Sequence, residues 1–358
     1  MKAVAVVPGT HDSLHLRDDV PDPATAGRDV RVRVLETGVC ATDIDIAEGL
    51  YGSAPAGSPY LVLGHENLGV VESAPSGAGF AVGDLVVSTV RRGCPDDCRA
   101  CLSDRPDACL SGHYLERGIQ RLHGFMSERY ADAPRYLVRV PAPLRRVGVL
   151  LEPMSIVQKG IEQALHVQDR LAWHPRRALV VGAGPIGLLA ALTLRLAGLE
   201  VALATLEPEG SPKQALVDEL GIRYVSTSAT PIESLPSTLG VIDVLFEATG
   251  ATSAVWPALG VLGLNGVAVL TSVTPGQEKL DVDVAAWNRQ MVLGNRVILG
   301  TVNAAHRHFE AGVRHLEAAE ARFPGWTERL VTRRLPFVDA PRALERRPSD
   351  IKTVLEFA

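Results

Sequence analysis

Five cysteines occur in 358 residues, and four of them, Cys94, Cys98, Cys101 and Cys109, share one short run, RRGCPDDCRACLSDRPDAC. Four thiolates within reach of one ion make a closed tetrahedral zinc site, with no position left for water or substrate. The run therefore predicts a structural zinc loop. Disulfides are the other use of such spacing. A chain of this length buries a core large enough to fold without staples, and its start, MKAVAVVPGTHDSLHL, reads as strand and turn rather than as a secretory leader.

The fifth cysteine, Cys40, stands apart and is followed by Thr42 and Asp43. The apolar run LVLGHENLGVV is interrupted by His65 and Glu66, and a further carboxylate, Glu152, lies in VLLEPMSIVQKG. Thiolate, imidazole and carboxylate are the ligand types of an open, catalytic zinc. Taken singly, the same residues read as a buried cysteine, a core histidine and a surface glutamate, and spacing alone does not bring them together.

A second chemistry-bearing segment is RRALVVGAGPIGLLAALTLRLAGLEVALATLE. It predicts strand, turn, helix and strand. Gly182 permits the tight turn, Gly184 admits a pyrophosphate close to the backbone, and Gly187 lets helix and strand pack. The helix opened by Pro185 and Ile186 offers its free N–H groups to the phosphates. Glu207, at the end of the second strand, suits the ribose hydroxyls of NAD and repels a 2′-phosphate, while Lys213 leaves NADP open. In VIDVLFEATG and GVAVLTSV, residues Thr249, Gly250, Thr271 and Ser272 fall at the carboxyl ends of further parallel strands, where ligands bind in such sheets. Thr301 and Asn303 complete the residues expected around the coenzyme.

These segments need two supporting folds. The expected class is α/β, with a β-rich catalytic domain and a doubly wound parallel-sheet domain. The expected boundaries are 1–175 for the first part of the catalytic domain, 176–302 for the dinucleotide domain and 303–358 for the return. Net charge is -5 with no basic stripe, which argues against nucleic acid and anionic membrane as partners. The apolar stretch from Ala178 to Leu206 contains three glycines in pattern, a proline and Arg195, so a soluble strand–helix–strand unit explains it better than a membrane span. A cytoplasmic homodimer or homotetramer acting on a small molecule is expected.

Cys40-Ala-Thr-Asp43, Gly64-His-Glu66, the four-cysteine loop and the glycine fingerprint, in that order, resemble the medium-chain zinc-dependent alcohol dehydrogenase family over nearly the whole chain. VRRGC, LERGIQRLHGFMSERY, LLEPMSI and MVLGNRVILGTVNAAHRHFE resemble its glucose dehydrogenase branch most. The resemblance implies a GroES-like domain split around a Rossmann domain, with the active site in the cleft between them. It implies a hydride passed between an alcohol carbon and nicotinamide C4, assisted by zinc. Carried over by position, Cys40, His65, and Glu66 or Glu152 ligate the catalytic zinc. Thr42 starts the proton relay, and Glu116, Glu152 and Asn303 line a sugar pocket.

Two positions depart from the glucose-oxidising pattern. Val90 stands where an asparagine binds a sugar hydroxyl, and Ile156 where an aspartate does. The expectation drawn from them is a poorer fit to glucose and a better one to a deoxysugar, cyclitol, aminocyclitol or nucleoside intermediate of a biosynthetic pathway. The alternatives are a plain glucose or aldose 1-dehydrogenase, an epimerase or lyase using bound NAD transiently, and a catalytically dead binding protein.

Overall fold

The computed structural model describes residues 1–25, 27–274 and 279–357. The chain divides into two compact units. The first comprises Met1–Ser155, Asn303–Glu317 and Thr327–Ala358, and the second Ile156–Val302 with Ala318–Trp326. The division falls inside one continuous helix, Leu151–Gln168. The sequence-based boundary at 175 follows that helix, because an unbroken helical run carries no signal where it passes from one unit to the next.

The first unit is built on a seven-stranded sheet. Its order is Leu137–Arg139, Leu85–Ser88, Glu66–Ser73, Val30–Val39, Lys352–Glu356, Val331–Pro336, with Arg129–Asp132 also paired to Val30–Val39. Along VRVRVLETGV the side chains alternate between buried and partly exposed before the strand turns fully inward at its end. That change marks where a half-solvated strand enters the site. The core beneath it gathers Val32, Val34, Leu63, Val86, Phe125, Tyr130 and Leu355. Under this sheet, Asp132 accepts a hydrogen bond from Ser88 Oγ at 2.7 Å and pairs with Arg92 and with Arg117, the latter at 3.1 Å.

The second unit is a six-stranded sheet in the order Arg223–Ser226, Glu200–Thr205, Arg177–Val181, Ile242–Glu247, Leu262–Leu270, Val297–Gly300. Every pairing in it is parallel. Counted in chain order this is 3-2-1-4-5-6, the doubly wound arrangement whose order reverses beside the first strand. RALVV is buried along nearly its whole length, as a strand covered on both faces must be. No described helix is long and apolar enough to cross a membrane.

Candidate active site and zinc loop

Helix Ala41–Ala47 begins at Cys40, whose Sγ accepts the Thr42 N–H at 3.4 Å, while Asp43 Oδ2 accepts the Cys40 N–H at 2.9 Å. This reciprocal cap fixes both side chains at the helix start. Asp43 is fully buried, and its Oδ1 accepts the Gly64 N–H at 3.3 Å and lies 3.4 Å from His65 Nδ1. Nδ1 has no hydrogen-bond partner among the described residues, so Asp43 acts on the imidazole as a neighbouring buried charge.

One ligand atom from each of Cys40, His65 and Glu66 lies within 4.8 Å of the others. Glu66 Oε1 accepts a hydrogen bond from Lys352 Nζ at 2.6 Å, and Glu66 Oε2 is buried without a partner among the described residues. Lys352 Nζ also donates to the Val39 carbonyl at 3.1 Å. Burial alone would pull this ammonium down, but the charges of Glu66, Cys40 and Glu152 outweigh it and hold its pKa up. Glu152, buried in the first turn of Leu151–Gln168, is pushed up to about 7 by desolvation, with His65 and Lys352 working against Glu66 and Asp43. For His65, burial opposes the charge and Asp43 and Cys40 favour it, with a net rise well above the ordinary value. A half-buried sulfur, a buried nitrogen and an unpartnered carboxylate oxygen, crowded by anionic groups, fit a divalent zinc ion.

The four loop cysteines likewise bring their sulfurs within 4.8 Å of one another. Cys98 Sγ and Cys109 Sγ are 3.9 Å apart, and backbone N–H groups of Cys94 and Leu110 donate to the sulfurs of Cys101 and Cys98, each at 3.4 Å. Amide donors stabilise thiolates. The backbone N–H groups of Cys101 and Leu110 bring Cys98 down to about 6, while burial pushes Cys101 up to about 12. This set fits a closed structural zinc site.

The same loop joins strand Arg91–Arg92 to strand Leu115–Arg117, in whose register Arg91 faces Glu116. Asn303, held at φ 58°, donates from Nδ2 to Glu116 Oε1 at 3.2 Å and accepts the Ala304 N–H at 2.9 Å. The two expected sugar residues therefore meet. Val90 does not join them in this way: it is 2% exposed and belongs to the apolar core of the first unit. Packing accounts for an aliphatic side chain there, although Glu116 and Asn303 are buried to a similar degree. Ile156 lies in the second unit, at the start of its share of the helix.

In the second unit the glycine turn has the expected form. Gly182 has φ 111°, and a Cβ at Gly187 would fall 1.9 Å from the Gly182 carbonyl oxygen. A Cβ at Gly184 would meet nothing within 4 Å, so the backbone is open to a ligand there. Pro185 and Ile186 start helix Pro185–Leu196. Glu207 is ion-paired with Lys213, so its charge is largely answered within the protein. The strand ends converge: Thr271 Oγ1 donates to the Glu247 carbonyl at 2.8 Å, Ser272 lies against Gly250, and the Thr301 N–H donates to the Leu270 carbonyl at 3.0 Å.

Four residues escaped the sequence reading as site components. Asp43 was legible as the capping partner of Cys40. Glu247, buried at a strand end, accepts from Thr249 N–H and Gly250 N–H at 2.6 and 3.0 Å and so fixes the ligand-side turn; its place in FEATG was the available signal. Lys352 and Arg91 had none, since each acts through a partner that only the fold supplies.

Residues 145–357 match the family model described as glucose dehydrogenase C-terminus, and residues 26–142 the alcohol dehydrogenase GroES-like domain. The glucose 1-dehydrogenase of Methanocella arvoryzae is 46% identical over 357 residues, covering 99% of each chain. Glucose 1-dehydrogenase 1 of Caldivirga maquilingensis is 45% identical over 358 residues, again covering 99% of each. The Haloferax mediterranei glucose dehydrogenase in complex with NADP, Zn and gluconolactone matches with a TM-score of 0.91 at 34% identity, over 100% of this chain and 99% of that one. The chain belongs to the medium-chain zinc-dependent alcohol dehydrogenase family, in its glucose dehydrogenase branch.

Proposed function

We propose that the chain is an aldose 1-dehydrogenase that oxidises the C1 hydroxyl of glucose, or of a near epimer, to the lactone with NADP or NAD as hydride acceptor. The observation that carries this reading is the pairing of Glu116 with Asn303 across 187 residues, in the same unit as the Cys40–His65–Glu66 cluster. Two polar groups that can bind hydroxyls and a metal-ligand set in one compact unit support a hydroxylated substrate. The names of the relatives support glucose over the biosynthetic intermediate suggested by Val90 and Ile156.

Cys40, His65, Glu66 and Glu152 are the residues that would hold the catalytic zinc, and Cys94, Cys98, Cys101 and Cys109 the structural one. Catalytic zinc, when bound, supplies Lewis acidity to the substrate oxygen. Asp43 lends its charge to the imidazole that would serve it, and Lys352 holds one oxygen of Glu66 while the other would be left for the metal. Thr42 would start the relay that passes the hydroxyl proton on towards solvent. NAD or NADP, when bound, would supply the two-electron acceptor for the C1 hydrogen, so that the aldose becomes lactone and the coenzyme is reduced. Gly182, Gly184 and Gly187 seat the pyrophosphate, and the turn held by Glu247 lies at the coenzyme end of the sheet.

The test is a spectrophotometric screen of glucose, galactose, xylose, cyclitols and nucleosides with each coenzyme. Glucose should rank among the best substrates. Preferred oxidation of a cyclitol or nucleoside would overturn the aldose reading. Isomerised sugar formed without net reduced coenzyme would favour the epimerase instead.

A further inference from the structure

We propose that Arg91 is a specificity-determining positioning residue: it loads one oxygen of Glu116 so that the other accepts a hydrogen bond from a single sugar hydroxyl. This rests on the aldose dehydrogenase reading and deepens it.

Arg91 and Glu116 are each 4% exposed and stand opposite one another across a two-strand register. A guanidinium and a carboxylate so placed usually pair two nitrogens with two oxygens. Here Arg91 Nε and Nη2 both donate to Glu116 Oε1, at 2.9 and 2.8 Å. Asn303 Nδ2 adds a third donor to that same oxygen, at 3.2 Å. No described residue hydrogen-bonds to Oε2. The guanidinium is itself pinned, since its Nη1 donates to the Asp107 carbonyl at 3.3 Å and its carbon lies 3.6 Å from the centroid of the Tyr114 ring. Asp107 sits in the four-cysteine loop, so that loop braces the arginine as well as closing the strand pair.

The chemistry follows from the asymmetry. An ionised carboxylate is acceptor-only. With three donors crowded on Oε1, the remaining capacity lies at Oε2, and its partner must be a donor. A hydroxyl qualifies; a methylene or an ether oxygen does not. An aldose lacking the hydroxyl that meets Oε2 leaves that acceptor without its donor, a loss of about 10- to 100-fold. Remove the arginine, and Glu116 is free to rotate, so it no longer demands a donor at one position.

The experiment uses the full-length, zinc-loaded protein and its Arg91→Gln, Arg91→Lys, Glu116→Gln and Arg91→Gln/Glu116→Gln variants. Each is assayed with glucose and its singly deoxygenated analogues, with coenzyme KM measured in parallel. The wild type should discriminate about 10- to 100-fold against one analogue. Arg91→Gln should raise the sugar KM about tenfold, reduce that discrimination below about threefold and leave coenzyme KM unchanged. Arg91→Lys should restore part of the discrimination, and the double variant should be no worse than Glu116→Gln, because both changes break one unit. An unaltered discrimination ratio in Arg91→Gln, or effects that add in the double variant, overturns the proposal. Should Arg91→Gln fail to fold, wild-type discrimination in Glu116→Gln overturns it equally. A wild type that oxidises no aldose sinks the aldose reading and this inference together, whereas glucose oxidation with unaltered discrimination in Arg91→Gln sinks the inference alone.

Discussion

A Cβ added to Gly38 would lie 1.8 Å from Glu66 Oε2, the same oxygen that has no partner among the described residues. The two residues are register partners on adjacent antiparallel strands, so the carboxylate lies across its neighbour's backbone. Only a residue without a side chain allows that path. Gly38→Ala should swing Glu66 away and cut kcat/KM by about 10- to 100-fold, in line with other losses of support around a metal site. Full activity and full zinc content in this variant would show that Glu66 is not needed where it stands.

Elemental analysis of gently purified protein should give two zinc ions per chain, because two separate ligand sets form. Chelation should remove the carboxylate-containing site first and abolish activity, with recovery on adding zinc. Cys98→Ser should instead lower the unfolding temperature and leave one ion behind. A fully active protein with no zinc would refute both assignments.

Glu207 and Lys213 neutralise each other at the strand end where coenzymes are sorted. Glu207→Gln removes the anion and frees the ammonium for a 2′-phosphate. The ratio of kcat/KM for NADP over NAD should rise, by about tenfold for a change near 1.4 kcal/mol. A ratio that stays level or falls would place coenzyme choice elsewhere in the turn.

Asp132 is depressed below its ordinary value of 3.8: burial works to raise it, and Arg117 and Arg92 prevail. A depressed carboxylate gives stability that is fully present above its unfolded pKa and is lost as pH falls through the folded one. The folded protein should therefore weaken below about pH 4. Asp132→Asn should flatten that acid slope while costing about 3–5 kcal/mol at neutral pH, since the buried Arg92 and the half-buried Arg117 lose their anion. Denaturant melts across a pH series would check both parts, and an unchanged acid slope would remove Asp132 from the account.

The sequence exposed those parts of the site that are local. Gly182 to Gly187 and the four loop cysteines each sit within a few residues of one another, and their spacing encodes the geometry directly. Cys40 and Asp43 form one helix cap, so they too were readable. What was hidden depends on strands meeting from far apart. Arg91 gained meaning only opposite Glu116, and Lys352 only beside Glu66. Val90 can be read in two ways: the sequence suggests a changed pocket, and the fold adds that the side chain packs in the hydrophobic core of its unit.

Lys352 and Glu66 are separated by 286 residues, which makes their contact a matter of timing as well as of charge. At roughly 5–20 residues per second of synthesis, the carboxylate waits about 15–60 s for its cation. Strand Lys352–Glu356 also lies between Val30–Val39 and Val331–Pro336, so the sheet itself stays open through the same interval. Metal capture in a mature geometry thus belongs to the finished chain. A fragment ending at the first unit's Ser155 would hold Cys40, His65, Glu66 and Glu152, yet would leave Glu66 without its counterion.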